Sequence, residues 1–464
     1  METQTSWARR GAPRSNLDLL KFLPSKQCAL LSDYQINLPM KIVLVHNFYR
    51  EAGGEDAVVE QERRLLERAG HDVILYHRSN HEIEGLSILG QISLAKRCIW
   101  AKDTQREFAR LLAKENPNLV HVHNTLVMIS PSVYGACRDR GIPVVQTLHN
   151  FRLMCPAATF QRDGKVCEEC VEHSLLRSVY HGCYRDSRAA TATVALMLAC
   201  HRRLGTWNKL VDCYIALTEF SRNKFIAAGL QADKIVVKPN FLDPDPGERE
   251  QHGTYALFVG RLSPEKGVST LLQAWEQVPE HCALHIVGDG PQRESLEAQA
   301  KKRSLAAITF RGYLSHEETI AEMKGARFLI MPSVWYEGFP VSVAESFACG
   351  TPVVCLRLGG MKEIVTNGRT GLHFTPGDSE DLAAKVKWAW ARPHEMEEMG
   401  REARAEYKAM YTAERNYEML MEIYAKAIAA RGQGLMPEAG DGKLAQSQVE
   451  SAKWTVARRS LVRE

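Results

Sequence analysis

From Lys41 onward, short runs of apolar residues alternate with longer stretches in which apolar positions return every three or four residues. The runs predict strands at 41–46, 72–76, 118–123, 143–148, 212–217 and 235–238. They are apolar at successive positions rather than at every second one, as expected of parallel strands covered on both faces. The stretches between them predict helices. In 55–69, Val58, Val59, Leu65 and Leu66 form an apolar stripe among Glu and Arg.

The alternation breaks at 238–253, where Pro239, Asp243, Pro244, Asp245, Pro246 and Gly247 read as a linker. It restarts with strands at 255–260, 283–288, 308–310, 328–332 and 352–355. The expected architecture is therefore α/β, with two doubly wound, Rossmann-like domains facing across a cleft. Such sheets bind ligands beyond the carboxyl ends of their strands. The expected boundaries are an N-terminal domain over 40–238, a linker over 239–253, a C-terminal domain over 254–411 and a final helix over 412–432. Residues 1–39 and 433–464 lack a sustained period and are expected to be disordered. Met40 stands where the compact part begins, which raises the expectation that translation starts there.

Composition narrows the function classes. The 464 residues carry 59 Lys and Arg against 55 Asp and Glu, a formal charge of +4 that gives no electrostatic case for nucleic acid. The longest apolar run, Ala189–Cys200, is too short to span a bilayer. It reads as a buried helix, with a membrane-surface helix as the alternative, since His201, Arg202 and Arg203 follow it. The basic N-terminus lacks the apolar core of a secretion signal. Scattered cysteines fit a reducing cytoplasm.

The charged positions of the second half cluster at strand ends. After strand 255–259 come Gly260, Arg261 and, five residues on, Lys266. Gly admits a phosphate close to the backbone, Arg offers a bidentate fork and Lys a point charge. Together they could hold a diphosphate, or both cations could simply be solvated. The next strand ends in Gly288, Asp289, Gly290 and Pro291, a turn common in nucleotide-binding sheets. Residues 337–350, EGFPVSVAESFACG, place Glu337 in a loop, a helix start at Pro340, and Glu345 more than a turn inside it. Ala344, Phe347, Ala348 and Cys349 around Glu345 indicate a buried face, on which a carboxylate needs partners.

This ordered set, VGRL with Lys266, VGDGP, EGFP and a glutamate pair with seven residues between, resembles the retaining glycosyltransferases of family 4, of GT-B fold and bacterial polysaccharide type. The resemblance covers about 41–432 and includes Pro239, Asn240, Thr351 and Pro352. It implies that Arg261 and Lys266 bind a donor diphosphate, that Glu345 holds the ribose, and that Glu337 with Gly338, Phe339, Pro340 and Val341 holds the sugar. It places Gly260, Gly288 and Gly290 along the donor, and Gly312, Tyr313 and Leu314 near the base. Such enzymes usually need no metal for transfer, and they use front-face attack without a protein nucleophile.

On the acceptor side, Gly53, Gly54 and Glu55 follow the first strand in NFYREAGGE, either as a ligand loop or as a plain strand-to-helix turn. His149 ends strand 144–148, at the position that family members use for a histidine near the transferred sugar. Residues 150–186 form an insertion-like loop with Cys155, Cys167, Cys170 and Cys183, whose Cys-x-x-Cys has metal-ligand spacing. The alternatives are a structural zinc, four free thiols and an iron–sulfur cluster.

The resemblance implies a cytoplasmic or membrane-peripheral enzyme on the inner face of the membrane. It would transfer a hexose from a nucleotide diphosphate sugar to a glycan or lipid-linked acceptor in cell-surface polysaccharide assembly. A nucleotide-sugar epimerase or phosphorylase of the same fold, or a scaffold subunit, are the rival expectations.

Overall fold

The computed structural model describes residues 39–50, 53–84, 87–251 and 253–434. The expectations for the two terminal segments and for a start at Met40 lie outside them, apart from residues 39 and 40 and the helical residues 433 and 434.

The first six-stranded sheet is built from β1 (Lys41–Phe48), β2 (Asp72–Ser79), β3 (Leu119–Val122), β4 (Val144–Leu148), β7 (Cys213–Ala216) and β8 (Ile235–Val237) in the order β2-β1-β3-β4-β7-β8. A two-stranded hairpin, β5 (Gln161–Arg162) with β6 (Lys165–Val166), lies in the long loop after β4. The second six-stranded sheet uses β9 (Tyr255–Val259), β10 (Leu284–Val287), β11 (Ile308–Gly312), β12 (Ala326–Met331), β13 (Val353–Leu356) and β14 (Gly371–Phe374), ordered β11-β10-β9-β12-β13-β14. All pairings in both large sheets are parallel.

The strand order reverses between β1 and β3 in one sheet and between β9 and β12 in the other. At such a point the loops leaving neighbouring strands turn to opposite faces and leave a crevice. Both crevices open toward the same cleft. The backbone oxygen of His149, just past β4, comes so near Gly338, past β12, that a Cβ there would sit 2.6 Å from it.

The inner strands of each sheet are dry on both faces: Val43, Val120, Val144 and Ile215 are fully buried, as are Leu257, Ile286, Ile330 and Val354. Burying each such side chain contributes about 1.5–3 kcal/mol against the chain entropy lost. The helix Gly54–Arg68 carries the expected stripe, with Val58, Val59, Leu65 and Leu66 buried. The helix Arg188–Leu204 buries Thr191, Val194, Met197 and Leu198 in the first lobe and leaves Leu196 and Leu204 exposed. No helix among the described residues is long and apolar enough to cross a membrane.

The segment after β8 is packed rather than free. Phe241 and Leu242 are fully buried, and the Asn240 side chain donates to the Phe339 carbonyl at 3.2 Å. The last helix, Ala413–Gly434, returns to the first sheet, where Tyr424 meets His121 and Asn416 accepts from Lys238.

Candidate functional site

The second lobe contributes two loops from its switch point. One leaves β9 through Gly260, Arg261 and the short turn Pro264–Lys266; the other leaves β12 through Ser333 to Glu337. Because β9 and β12 are neighbours, Lys266 Nζ comes 2.7 Å from Glu337 Oε1 and 5.4 Å from the Trp335 ring. Glu337 is 6% exposed. Burial alone would raise its pKa, yet the Lys266 ammonium outweighs that and holds it below the usual carboxylate value. Arg261 is exposed on the first of these loops.

Glycine is required where these loops touch. Gly267 has φ of +70°, and a Cβ there would lie 2.0 Å from the Pro332 carbonyl oxygen. At Gly288 (φ +132°) a Cβ would lie 2.0 Å from the Gly260 oxygen. The Gly288 N–H donates to the Gly312 carbonyl at 2.7 Å, so Gly260, Gly288 and Gly312 line up across β9, β10 and β11. Gly290 likewise abuts the Leu262 backbone. Tyr313, just beyond, is 80% exposed, and Leu314 packs partly into the core under the helix Val341–Ala348.

That helix starts one residue later than expected: Pro340 is its N-cap, and Val341 begins it. Its buried face is the predicted one, with Ala344, Phe347 and Ala348 at zero exposure. Glu345 is buried on it with His316 Nδ1 at 3.4 Å. Burial raises its pKa, and His316 offsets this only in part. Phe339 is packed with Leu217 of the first lobe and lies 5.2 Å from Tyr411, so its ring belongs to the join between lobes.

The first lobe places His149 over a chain of buried groups that sequence reading passed over as strand and helix interior. His149 Nε2 is 2.9 Å from His123 Nδ1. His123 Nε2 is 3.4 Å from Glu62 Oε1, and His121 Nδ1 lies 2.8 Å from the same oxygen. Glu62 Oε2 faces Lys238 Nζ at 3.3 Å. Burial resists the charge on Glu62, but His121 and Lys238 hold it well below the usual carboxylate value. Burial drives His149 well below the ordinary imidazole value and His123 down to about 3, so both stay neutral. The available signal was HVH at 121–123: two histidines at alternate positions of a strand otherwise apolar on both faces.

Glu55 stands beside this chain. Tyr49 donates to it at 3.1 Å and the Asn150 amide at 3.2 Å, and burial pushes its pKa up to about 8. A Cβ on Gly53 or Gly54 would meet nothing within 4 Å, so these glycines face open space. A recess beneath His149 is lined by His123, Asn124, Gln146, Asn150 and Arg152.

The lobes are clasped around the cleft by Tyr336, next to Glu337. Its ring is 4.7 Å from Phe220, and its hydroxyl donates to Glu168 Oε1 at 2.7 Å. Glu363 of the second lobe accepts from the N–H groups of Glu219 and Phe220 at 2.8 and 2.9 Å, capping the helix Glu219–Ala227 of the first.

Two family models match in tandem: Glycosyltransferase Family 4 over residues 52–246 and Glycosyl transferases group 1 over residues 243–406, together more than half the chain. The chain belongs to the glycosyltransferases of family 4 type. The family 4 segment ends and the group 1 segment begins in the chain that joins the two sheets. Among curated relatives, the glycogen synthase of Mycobacterium tuberculosis is 38% identical over 152 residues, which is 32% of this chain and 36% of the synthase. The chain thus matches about a third of that relative's length. The 2-deoxystreptamine glucosyltransferase of Streptomyces kanamyceticus is 28% identical over 300 residues, 62% of this chain and 72% of that one. Among solved structures, Anabaena Alr3699/HepE in complex with UDP superposes with a TM-score of 0.60 at 19% identity, over 82% of this chain and 99% of that one. At that identity the likeness speaks for the GT-B fold.

Proposed function

We propose that this family 4 protein is a retaining glycosyltransferase that moves a hexose from a nucleotide diphosphate sugar to a hydroxyl of a glycan or lipid-linked acceptor. The observation that carries the reading is the convergence of Arg261, Lys266 and Glu337 at one switch point, with Glu345 buried close by on the next helix. Lys266 and Arg261 meet the charge that develops on the leaving diphosphate. Glu337, kept ionised by Lys266, accepts from sugar hydroxyls, and Gly338 to Val341 shape that subsite through their backbone. Glu345, with its pKa raised, takes the ribose. Gly260, Gly288, Gly290 and Gly312 let the donor approach the backbone.

Neutral His149 faces the sugar from the acceptor lobe, with Gly53, Gly54 and Glu55 on the acceptor side. That HepE has been solved with UDP-glucose as well as UDP favours a nucleotide-sugar donor. Transfer itself needs no metal in this scheme. The setting we infer is cell-surface polysaccharide assembly in the cytoplasm, at the inner face of the membrane.

Thermal-shift measurements against UDP-, GDP- and ADP-sugars test the proposal, since a ligand that binds only the folded state raises stability with the logarithm of its concentration over Kd. One donor should shift the wild type and should fail to shift Lys266→Ala and Glu345→Ala. Release of nucleotide diphosphate only when an acceptor is added separates a transferase from an epimerase or phosphorylase. A shift by none of the donors sinks the reading.

A further inference from the structure

The loop 150–186 carries four cysteines that the transfer chemistry does not use, and Cys155, Cys167, Cys170 and Cys183 are all unbridged. The loop folds as a small module. A turn brings the Cys155 N–H to the Phe151 carbonyl at 2.9 Å and the Ala158 N–H to the Cys155 carbonyl at 2.8 Å. The hairpin β5–β6 follows, closed at its far end by the Cys167 N–H donating to the Phe160 carbonyl at 2.7 Å. Then come a turn of helix at Glu169–Glu172 and the helix Leu175–His181, which Gly182 ends at φ +67° just before Cys183.

This path returns Cys170 to the neighbourhood of Cys155. The N–H groups of Ala157 and Phe160 point at the Cys155 sulfur. Cys183 lies within electrostatic reach of both Cys155 and Cys167. Four thiols from one loop, two of them in a Cys-x-x-Cys, are a donor set that ligates metal as thiolates. Residues that soft and that spacing select a zinc-type cation over magnesium or calcium.

We propose that Cys155, Cys167, Cys170 and Cys183 bind one zinc-type divalent cation as thiolates, giving up their protons to solvent, and that this metal staples the module on which Tyr336 is seated. Glu168, which accepts the Tyr336 hydroxyl at 2.7 Å and Lys224 Nζ at 2.6 Å, lies between Cys167 and Cys170. Phe151 and Phe160, on either side of Cys155, pack against the Tyr336 ring at 6.2 and 6.1 Å. The metal therefore acts on the donor loop through Tyr336, next to Glu337, without touching the reacting atoms. Among the described residues, three ligand atoms within 4.8 Å of one another occur at Glu62, His121 and His123, where Lys238 already supplies the balancing cation. The four sulfurs are spread more widely, and binding draws them together.

Metal content of the full chain, purified without chelator, tests this independently of any donor. About one zinc per chain is expected in the wild type and in Cys200→Ser, and less than about a tenth in Cys167→Ser/Cys170→Ser. Should the double variant fail to fold, cobalt(II) added to the reduced wild type gives the second readout, an intense thiolate-to-cobalt absorption. Wild type that holds no stoichiometric zinc and gives no such band overturns the site. Stripping the metal should expose the module to proteolysis near 163–172; an unchanged cleavage rate overturns the stapling role.

Discussion

Lys266 and Glu337, 71 residues apart in sequence, meet at 2.7 Å because β9 and β12 lie side by side at the point where the second sheet reverses its strand order. The pair is unequal: the glutamate side chain is 7% exposed and the lysine 20%. Removing the lysine leaves a carboxylate buried without its cation, which costs more than removing both charges together. Lys266→Ala is therefore expected to lose about 1–3 kcal/mol in urea unfolding. Adding Glu337→Gln should recover part of that loss. If Lys266 serves the leaving diphosphate as proposed, transfer activity should fall by about 10²–10³ in both. Equal stability of the single and double variants would show that the pair is not coupled.

Neutral His123 makes the first lobe sensitive to acid. Its folded value of about 3 lies below the ordinary 6.5 of the unfolded chain, so the unfolded state binds more protons between those limits. The stability it contributes is complete above about 6.5 and drains away as pH falls through the folded value. Half-buried His149, also held low, adds in the same direction. Unfolding free energy measured from pH 7 to 4 should fall more steeply in the wild type than in His123→Asn. Identical slopes would remove His123 from this account.

Glu55 behaves in the opposite sense. Its folded value of about 8 stands above the ordinary 4.5, so the folded state holds the proton more tightly. The stability this gives is full below about 4.5 and is lost as pH rises through about 8. Glu55→Gln keeps the hydrogen-bonding shape without the charge. It should match the wild type at pH 5 and exceed it at pH 9; a variant less stable at pH 9 would count against a protonated Glu55.

Tyr336 should control donor binding from outside the donor site. Tyr336→Phe removes only the bond to Glu168, worth about 0.5–1.5 kcal/mol, and should raise donor KM a few-fold with kcat nearly unchanged. Tyr336→Ala empties the pocket between Phe151, Phe160 and Phe220 and should cost about 3–5 kcal/mol. A donor titration with unchanged KM in both variants would separate the clasp from the site.

Much of the fold was legible because parallel strands buried on both faces leave continuous apolar runs, and each run used in the reading became a strand. β14 escaped: GLHF is short, and His373 interrupts it. The hairpin β5–β6 escaped too, since two-residue strands carry no period. The loops that leave β9, β10 and β12 were legible from the glycines and cations at strand ends, whose backbone demands leave few residue choices. Tyr313 illustrates the limit, because its place after β11 was readable while its 80% exposure was not.

The buried charge chain was hidden for a different reason. Glu62 lies on a helix whose neighbours Arg63 and Arg64 pair with Glu60 on the outer surface, so locally it reads as one more polar position. It is 1% exposed because β3 brings His121 and His123 beneath it and the start of the crossing segment brings Lys238, which Asn416 of the last helix also holds. Local periodicity by itself determined the two doubly wound sheets and the loops at their carboxyl ends, because those features depend on residues close together in the chain. Which charges are buried, which cations meet which carboxylates, and how Tyr336 clasps the lobes were decided only by the tertiary structure. Desolvation and Coulomb attraction depend on neighbours that the chain brings together from tens to hundreds of residues apart.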